Sequence, residues 1–233
     1  FKDLLEVLKI FQSKLSLQAF EFFSDHALDK VIEAHGYPKP FETYAPFYAL
    51  IDFDNQDNTS QDDALKLYSE CADKKLVLDG VMSESIAQSQ NMWKLREDIS
   101  ETLWHYQPYK NDLSVRISKM PKILDEVGSF IKKSYPNFEV IWYGHIGDGN
   151  LHLNILKPAA LNKSEFKSLC DDISMNLGQL VESFDGSISA EHGVGILKRD
   201  YLKFSKSSGE ISLMAEVKKV FDPKGILNPG KLL

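Results

Sequence analysis

The sequence predicts an α+β fold in which duplicated ferredoxin-like split units form a largely antiparallel sheet with helices on one face, followed by a helical C-terminal region. Two observations predict it. The order strand-helix-strand occurs twice between residues 45 and 158, without any repeat of residue identity. Beyond residue 158, apolar residues recur at helical spacing. The expected parts are a helical lead-in over 1–44, a sheet core over 45–158, and a helical region with an extended tail over 159–233.

The elements follow from local patterns, taken in chain order. FKDLLEVLKIFQSKL and FEFFSDHALDKVIEAHG have apolar residues at helical spacing, and Gly36 and Pro38 end the second helix. In the first unit, PFYALIDFD predicts a strand, SQDDALKLYSECADKK a helix that begins at Ser60, and LVLDGVMS another strand. SIAQSQNMWKLREDISETLW predicts a long helix that joins the two units.

The second unit and the C-terminal region have equally clear patterns. LSVRISKM predicts a strand, KILDEVGSFIKKSY a helix, and FEVIWYGHIGDGNLHLNIL two strands that are joined by a glycine-rich tip. SEFKSLCDDISMNLGQLVESF and GEISLMAEVKKVF predict helices. DPKGILNPGKLL, punctuated by proline and glycine, predicts an irregular tail.

Composition excludes several classes of function. A formal charge of -7 and a pI near 5.4 argue against nucleic-acid binding, which needs a basic surface. Apolar runs are too short for a transmembrane helix. Cys71 and Cys170 lie far apart in helical patterns, which predicts reduced thiols. Because the chain begins at Phe1 rather than methionine, we expect it to be part of a longer protein.

The stretch GHIGDGNLHLN holds two of the six histidines around a tight turn. If Asp148 and Gly149 form the centre of a two-residue hairpin, His145 lies directly opposite His152. Opposed residues have Cβ atoms about 4.5–5.5 Å apart on one face, so the two imidazoles could share a metal ion. Asn154 would lie on the same face. Ordinary cross-strand hydrogen bonds between the histidines explain the bare spacing equally well.

The stretch SAEHGVG adds a carboxylate and a third histidine next to a glycine turn. Glu191 could complete a set of two histidines and one carboxylate, which is typical of catalytic metal sites with open coordination positions. Such a set also occurs in non-haem iron oxygenases, although their jelly-roll barrels contain less helix than this sequence predicts. A binding or interaction module without chemistry of its own is a further alternative.

A second group of residues could bind an anion. Trp93, Arg96 and Ser100 share one face of the long helix, where Arg96 could hold a carboxylate bidentately and Ser100 could add a hydroxyl donor. A surface ion pair between Arg96 and a nearby Asp or Glu is the plain alternative. Lys110, with Asp112 close by, stands at the entrance of a strand, and this pair alone indicates nothing specific.

Together, GHIGDGNLHLN, SAEHGVGILKRDYL and FDPKGILNPGKLL resemble the C-terminal half of the FAD-linked 2-hydroxy acid dehydrogenases. These vanillyl-alcohol-oxidase-type flavoproteins include D-lactate dehydrogenase, D-2-hydroxyglutarate dehydrogenase and the glycolate oxidase D subunit. The resemblance extends over nearly the whole chain but does not specify the member. It implies that FAD is bound mainly by an N-terminal domain which is absent from this sequence. We therefore expect a substrate-binding, or cap, domain that is inactive in redox chemistry by itself.

The resemblance also implies roles for individual residues. A divalent metal, zinc or alternatively manganese, cobalt or iron, is expected between His145, His152 and Glu191. His192 is expected to accept the substrate proton and to contact the substrate. The family's other positions correspond to Arg96, Lys110 and Asn154 for the substrate, Ser100 where the D-2-hydroxyglutarate branch has threonine, and Asn228 for the flavin.

The expected reaction is oxidation of a D-2-hydroxy acid to the 2-oxo acid, with hydride transfer to FAD. Whether the acid is lactate, 2-hydroxyglutarate or glycolate stays open, and the two cationic groups of Arg96 and Lys110 favour a second carboxylate. We expect a small-molecule substrate, no nucleic-acid partner and a homodimer. The expected location is the cytoplasm, with peripheral attachment to the inner membrane, or the mitochondrion in a eukaryote.

Overall fold

A computed structural model describes residues 1–55 and 59–233. Five strands and eight α-helices lie in these ranges. In chain order they are α1 (Lys2–Gln12), β1 (Leu17–Ser24), α2 (Asp25–His35), β2 (Phe47–Phe53), α3 (Ser60–Asp73), α4 (Ile86–Glu97), α5 (Ile99–Trp104), β3 (Tyr109–Ser114), α6 (Met120–Ser134), β4 (Glu139–His145), β5 (Asn150–Leu156), α7 (Lys163–Ser183) and α8 (Ser208–Phe221).

The strands form one antiparallel sheet in the order β2-β1-β4-β5-β3. This arrangement confirms the predicted α+β class with an antiparallel sheet. The segment β3-α6-β4 is a split unit, because β5 lies between its two strands. In the first half of the chain, β1 and β2 are direct neighbours instead. The sheet therefore places β1, β4, β5 and β3 side by side, and the candidate site is built on these four strands.

The sequence pattern was misleading at β1, where a helix was expected over FEFFSDHALDKVIEAHG. The first part of this stretch is a strand, in which Phe22 packs into one hydrophobic core and Phe23 into another. This alternation has the period of two that a strand requires, and aromatic residues favour strands. The helix begins only after Ser24, whose hydroxyl accepts a hydrogen bond from Ala27 N. Residues 1–44 thus contain a central strand in addition to two helices.

Three other expected elements differ from the structure. LVLDGVMS is not a strand but an irregular segment with a bend at Leu78, in which the exposed Asp79 side chain accepts from Gly80 N. The strand expected over LSVRISKM lies earlier, as β3, and a 3-10 helix occupies Ile117–Lys119. The long helix between the units is divided at Asp98 into α4 and α5. The helices expected as α6, α7 and α8 are confirmed.

Helices cover one face of the sheet, and a second group covers part of the other face. The main core joins β-strand residues such as Phe22 and Leu153 to α1, α3, α6 and α7. The smaller core joins Phe23, Ile141 and Tyr143 to α2, α4 and α5. The part of this second face that α2, α4 and α5 leave uncovered carries polar and charged side chains, which form the candidate site.

Two further expectations concern membranes and cysteines. None of the helices in the described ranges combines the length and apolar content that a membrane crossing requires. Cys71 and Cys170 are buried free thiols, as expected. Burial raises the pKa of Cys170 to about 12, which keeps its thiol protonated and unreactive at neutral pH.

Candidate functional site

The histidine hairpin forms, but its strands pair in a different register from the predicted one. Tyr143, rather than His145, lies opposite His152. The turn is a 3-10 helix over Ile146–Asp148, which is closed by Gly149 in a left-handed conformation with φ of 70°. Because side chains alternate with a period of two, this shift by two residues leaves both histidines on the predicted face. Their ring centroids are 5.4 Å apart.

Gly149 allows the hairpin to close against the end of β3. A Cβ atom at this position would lie 2.2 Å from the carbonyl oxygen of Val115, and the φ of +70° also disfavours any side chain. We expect Gly149→Ala to lower the free energy of unfolding by about 2 kcal/mol or more, since left-handed conformation and overlap both oppose alanine. Urea denaturation would measure this. Gly147→Ala is the matched control, because the space around Gly147 is open, and equal effects of both changes would contradict the expectation.

Each hairpin histidine is held by a carboxylate from the neighbouring strand. His145 Nδ1 lies 2.7 Å from Glu21 Oε1, and these residues are paired across β1 and β4. His152 Nδ1 lies 2.6 Å from Asp112 Oδ1, and these residues are paired across β3 and β5. An ionised carboxylate only accepts hydrogen bonds, so each imidazole donates from Nδ1. The lone pair on each Nε2 is thereby left for another partner.

The Glu191 carboxylate lies close to both Nε2 atoms, although beyond hydrogen-bonding distance. Its Oε1 atom lies 3.9 Å from His145 Nε2 and 4.0 Å from His152 Nε2. Two atoms that each bond one zinc ion at about 2.1 Å can be at most about 4.2 Å apart, so these separations fit a shared ion. The two imidazoles and the Glu191 carboxylate, which were predicted as metal ligands, thus lie around one point.

The loop that carries Glu191 is anchored to the edge of the sheet. Ser187 pairs with Ser114 at the end of β3 through hydrogen bonds in both directions, of 2.9 and 2.8 Å. The Lys198 ammonium donates to the carbonyl of Ile188 at 2.9 Å. Ala190, directly before Glu191, has a φ of 45°, an uncommon conformation for alanine. These anchors hold the carboxylate over the hairpin.

His192 lies beside the metal-ligand group and is more than half exposed. Its Nε2 atom is 3.6 Å from Asp112 Oδ2 and 3.8 Å from Glu191 Oε1. Asp112, His152 and His192 therefore form a second group with metal-ligand spacing, which shares His152 with the first group. The exposure of His192 and the carboxylates beside it suit a group that exchanges protons with a ligand.

Charges around the hairpin are balanced by specific pairs. Burial alone would raise the pKa of Asp112, but the hydrogen bond from His152 and the positive charge of Lys198 outweigh it and lower that pKa. Burial lowers the pKa of Lys198. The hydrogen bond to Glu21 raises the pKa of His145 although burial opposes it. Asp112 therefore accepts a hydrogen bond from His152 and lies within ion-pair distance of Lys198 and His192.

The predicted substrate-contacting residues surround this group. Arg96 is buried, and its Nε and Nη2 atoms each lie 2.9 Å from Glu21 Oε2. Lys110 Nζ donates to Ser100 Oγ at 3.0 Å.

Asn154 pairs with Lys110 across β5 and β3. Its side chain is 1% exposed, and neither of its polar atoms has a hydrogen-bond partner in the described part of the chain. Buried amides rarely lack partners, so these atoms are available to a water molecule or a ligand.

The structure does not bring Asn228 into this cluster. Asn228 is exposed in the C-terminal tail, and within the described ranges its contacts are with Lys231. The tail reaches the loop after His192 through a hydrogen bond from Leu232 N to Gly195 O. A flavin contact at Asn228 stays a prediction.

Sequence reasoning missed three residues of the site. Glu21 lies in the stretch that was expected to be helical, so its position on the same face as the histidines was not visible. Tyr143 packs against His152 with ring centroids 4.8 Å apart, and burial raises its pKa. Lys198 is partly buried and lies 3.8 Å from Asp112 Oδ2, and its place a few residues after the SAEHGVG motif is the signal in the sequence that could have indicated it.

Comparison with known proteins gives a consistent result. A family model described as "FAD linked oxidases, C-terminal domain" matches residues 1–232. The chain is 53% identical to a D-2-hydroxyglutarate dehydrogenase of Stutzerimonas stutzeri over 232 residues, which are 100% of this chain and 50% of the relative. It is 47% identical to a D-2-hydroxyglutarate dehydrogenase of Xanthomonas citri, covering 100% of this chain and 49% of that relative.

More distant relatives extend the same picture. The mitochondrial D-2-hydroxyglutarate dehydrogenase of Arabidopsis thaliana is 37% identical, covering 93% of this chain and 38% of that protein. A solved structure of 4-ethylphenol oxidase from Gulosibacter chungangensis is similar in fold, with a TM-score of 0.56 and 14% identity over 92% of this chain and 47% of that one. The chain spans about half the length of the Stutzerimonas and Xanthomonas relatives.

Proposed function

The chain belongs to the family of FAD-linked oxidase C-terminal domains, and on that basis we propose that it binds the substrate and a divalent metal in a flavin-dependent dehydrogenase of D-2-hydroxy acids. The observation that carries this proposal is the convergence of His145, His152 and Glu191 on one point. The cationic groups of Arg96 and Lys110 stand on the elements beside that point. The Stutzerimonas and Xanthomonas relatives are named D-2-hydroxyglutarate dehydrogenases, which supports the same reaction class.

We propose that the metal is held by the Nε2 atoms of His145 and His152 and by the Glu191 carboxylate. Zinc is the first choice, since two imidazoles and a carboxylate are a common catalytic zinc set, and manganese, cobalt or iron would accept the same ligands. A metal bound there would act as a Lewis acid that lowers the pKa of the substrate's α-hydroxyl group. The Nδ1 bonds to Glu21 and Asp112 orient both imidazoles for this task.

His192 is proposed to accept the proton of that hydroxyl. It lies on the exposed side of the ligand group, where a substrate can approach, and Asp112 stands 3.6 Å from its Nε2 atom. The nearby carboxylate favours the positive charge that the imidazole gains. FAD, when bound, would supply the acceptor for the C2 hydrogen and its electron pair, and Asn228 is proposed to contact it. His192 would hold the proton of the α-hydroxyl group while the 2-oxo acid forms.

The substrate class follows from the positive groups around the site. Arg96 Nη1 is not used by the contacts with Glu21 and could bind a carboxylate oxygen. Lys110, with Ser100 beside it, would bind a second carboxylate, and Asn154 would supply buried amide atoms. A site with two separate cations suits a dicarboxylate, so we propose D-2-hydroxyglutarate as the substrate rather than D-lactate.

A test compares Lys110→Met with the unchanged protein at its full natural length. We expect kcat/KM for D-2-hydroxyglutarate to fall about 10- to 100-fold, because a charge-assisted hydrogen bond is lost, while that for D-lactate changes little. Dye-coupled steady-state kinetics would measure both substrates. Lys94→Met, which removes an exposed lysine near Arg96, is the matched control. An equal loss for both acids would rule out Lys110 as the second-carboxylate residue, and inactivity of the unchanged protein with all 2-hydroxy acids would reject the proposed reaction.

Assembly and location complete the proposal. We propose a homodimer of the longer flavoprotein and a small-molecule substrate without nucleic-acid partners. The name of the Arabidopsis relative contains the word mitochondrial. We propose the mitochondrion for a eukaryotic source, and for a bacterial source the cytoplasm, with peripheral attachment to the inner membrane.

A further inference from the structure

Glu21 lies between the proposed metal ligands and the proposed substrate ligands. Its side chain is 5% exposed, although no sequence motif includes it. One carboxylate oxygen, Oε1, lies 2.7 Å from His145 Nδ1. The other oxygen, Oε2, accepts a hydrogen bond from Arg96 Nε at 2.9 Å and forms an ion pair with Arg96 Nη2 at 2.9 Å. Both oxygens of one buried carboxylate are therefore engaged, each by a residue with a different proposed task.

This arrangement fixes the state of both neighbours. Because Oε2 of Glu21 already pairs with Arg96, Oε1 accepts the Nδ1–H of His145, and Nε2 is the ring atom that faces Glu191 and is left to bind a metal. Arg96 is held by its contacts with Glu21 Oε2 and lies over Tyr143, with Cζ 4.8 Å from the ring centroid. Its Nη1 atom takes no part in the contacts with Glu21.

We propose that Glu21 is a positioning residue that couples the metal ligand His145 to the substrate-binding Arg96. This inference rests on the proposed function, since it assumes a metal between His145, His152 and Glu191. Glu21 itself touches neither metal nor substrate. It sets the tautomer and ring direction of His145 and, through the same carboxylate, the direction of the Arg96 guanidinium. The orientation of the metal ligand His145 therefore depends on the same Glu21 carboxylate that orients Arg96 for binding the substrate carboxylate.

An amide in place of Glu21 cannot serve both neighbours. Glutamine has one accepting oxygen and one donating nitrogen, and Arg96 and the Nδ1–H of His145 both need an acceptor. The amide oxygen is expected to accept from the permanently charged guanidinium of Arg96 rather than from His145, because charge-assisted hydrogen bonds are about twice as strong as neutral ones. The amide nitrogen then faces His145 Nδ1 and favours the tautomer with the proton on Nε2. That proton occupies the position which the metal requires.

The test measures metal affinity in the full-length holoprotein by dialysis against zinc buffered with a chelator, followed by elemental analysis. We expect Glu21→Gln to weaken zinc binding about 10- to 100-fold, the range typical for loss of a partner of a metal-bound histidine. Adding Arg96→Met should restore most of this affinity, because the amide oxygen is then free to accept from His145. Glu139→Gln, at a partly exposed carboxylate on β4, is the matched control.

A second pair of variants avoids leaving a buried charge unpaired, in case Glu21→Gln alone does not fold. Glu21→Gln/Arg96→Met retains an acceptor for His145, whereas Glu21→Met/Arg96→Met has none. We expect the first double variant to bind zinc about 10- to 100-fold more tightly than the second. In metal-free protein labelled with nitrogen-15 at histidine, NMR at a pH high enough for the His145 imidazole to be neutral should show its Nδ1–H tautomer in the unchanged protein and its Nε2–H tautomer in Glu21→Gln.

The outcomes separate the inference from the proposed function. If the unchanged protein binds about one zinc per chain and Glu21→Gln binds it equally tightly, Glu21 is not a positioning residue while the metal site stands. Equal zinc affinities of the two double variants would overturn the inference in the same way. If the unchanged protein binds no divalent metal even after reconstitution, the proposed metal site fails, and the role of Glu21 fails with it.

Discussion

Replacement of His152 by alanine is expected to remove the divalent metal and to lower kcat/KM of the full-length protein by about 10³-fold or more. His152 is buried, and it belongs to both groups of residues with metal-ligand spacing, so neither group survives its loss. A Lewis acid at the reacting oxygen contributes several kcal/mol to the transition state, and each 1.36 kcal/mol corresponds to a factor of ten in rate. The variant also leaves Asp112 without its hydrogen-bond donor.

Elemental analysis beside steady-state kinetics would measure this prediction. The unchanged protein should contain about one metal ion per chain, and His152→Ala close to none, at equal flavin content. His26→Ala is the control, since His26 is half-exposed on α2 and contacts Asp25 and Glu139 outside the site. A His152→Ala protein that keeps its metal would show that the hairpin histidines are not the ligands.

The histidine hairpin shows how a partly wrong prediction can place a site correctly. The two-residue turn at Asp148 and Gly149 was expected, and a 3-10 turn with a register shifted by two residues was found. An even shift preserves the face of every side chain, so His145 and His152 still converge. A shift by one residue would have separated them. The face of a strand is therefore predictable from sequence when the exact turn is not.

Long-range partners were not predictable in the same way. Arg96 was expected either to bind an anion or to pair with a neighbour on its own helix, and its partner is Glu21, 75 residues earlier in the chain. The stretch around Glu21 has so many aromatic residues that helical and strand spacing both fit it. Only the pairing of β1 with β4, which no local pattern encodes, places Glu21 beside His145.

The same limit explains the strand that was expected over LVLDGVMS. Its apolar residues suit a strand, but Leu78 and Val81 are exposed, and the segment does not belong to the sheet β2-β1-β4-β5-β3. The partner of β2 is β1, which comes earlier in the chain. Local pattern thus indicates which segments can form strands, whereas competition between segments for one sheet position decides which of them do.

Replacement of His192 by glutamine is expected to lower kcat about 10²- to 10⁴-fold while the metal content stays the same. Glutamine can still hydrogen-bond in the place of His192, but it cannot accept the α-hydroxyl proton, and loss of a general base has an effect of this size. The proposed ligands His145, His152 and Glu191 are unchanged in the variant. Loss of rate without loss of metal would therefore separate proton transfer from metal binding within one cluster.

The measurement combines kcat, KM and elemental analysis on the full-length protein, with His105→Gln at an exposed histidine as the control. If His192→Gln loses its metal, then His192 is itself a ligand, and the group of Asp112, His152 and His192 holds the ion. If kcat is unchanged, another residue accepts the proton. Because Asp112 contacts His152 and lies 3.6 Å from His192, it links the two arrangements, and the His192 variant decides which of them the protein uses.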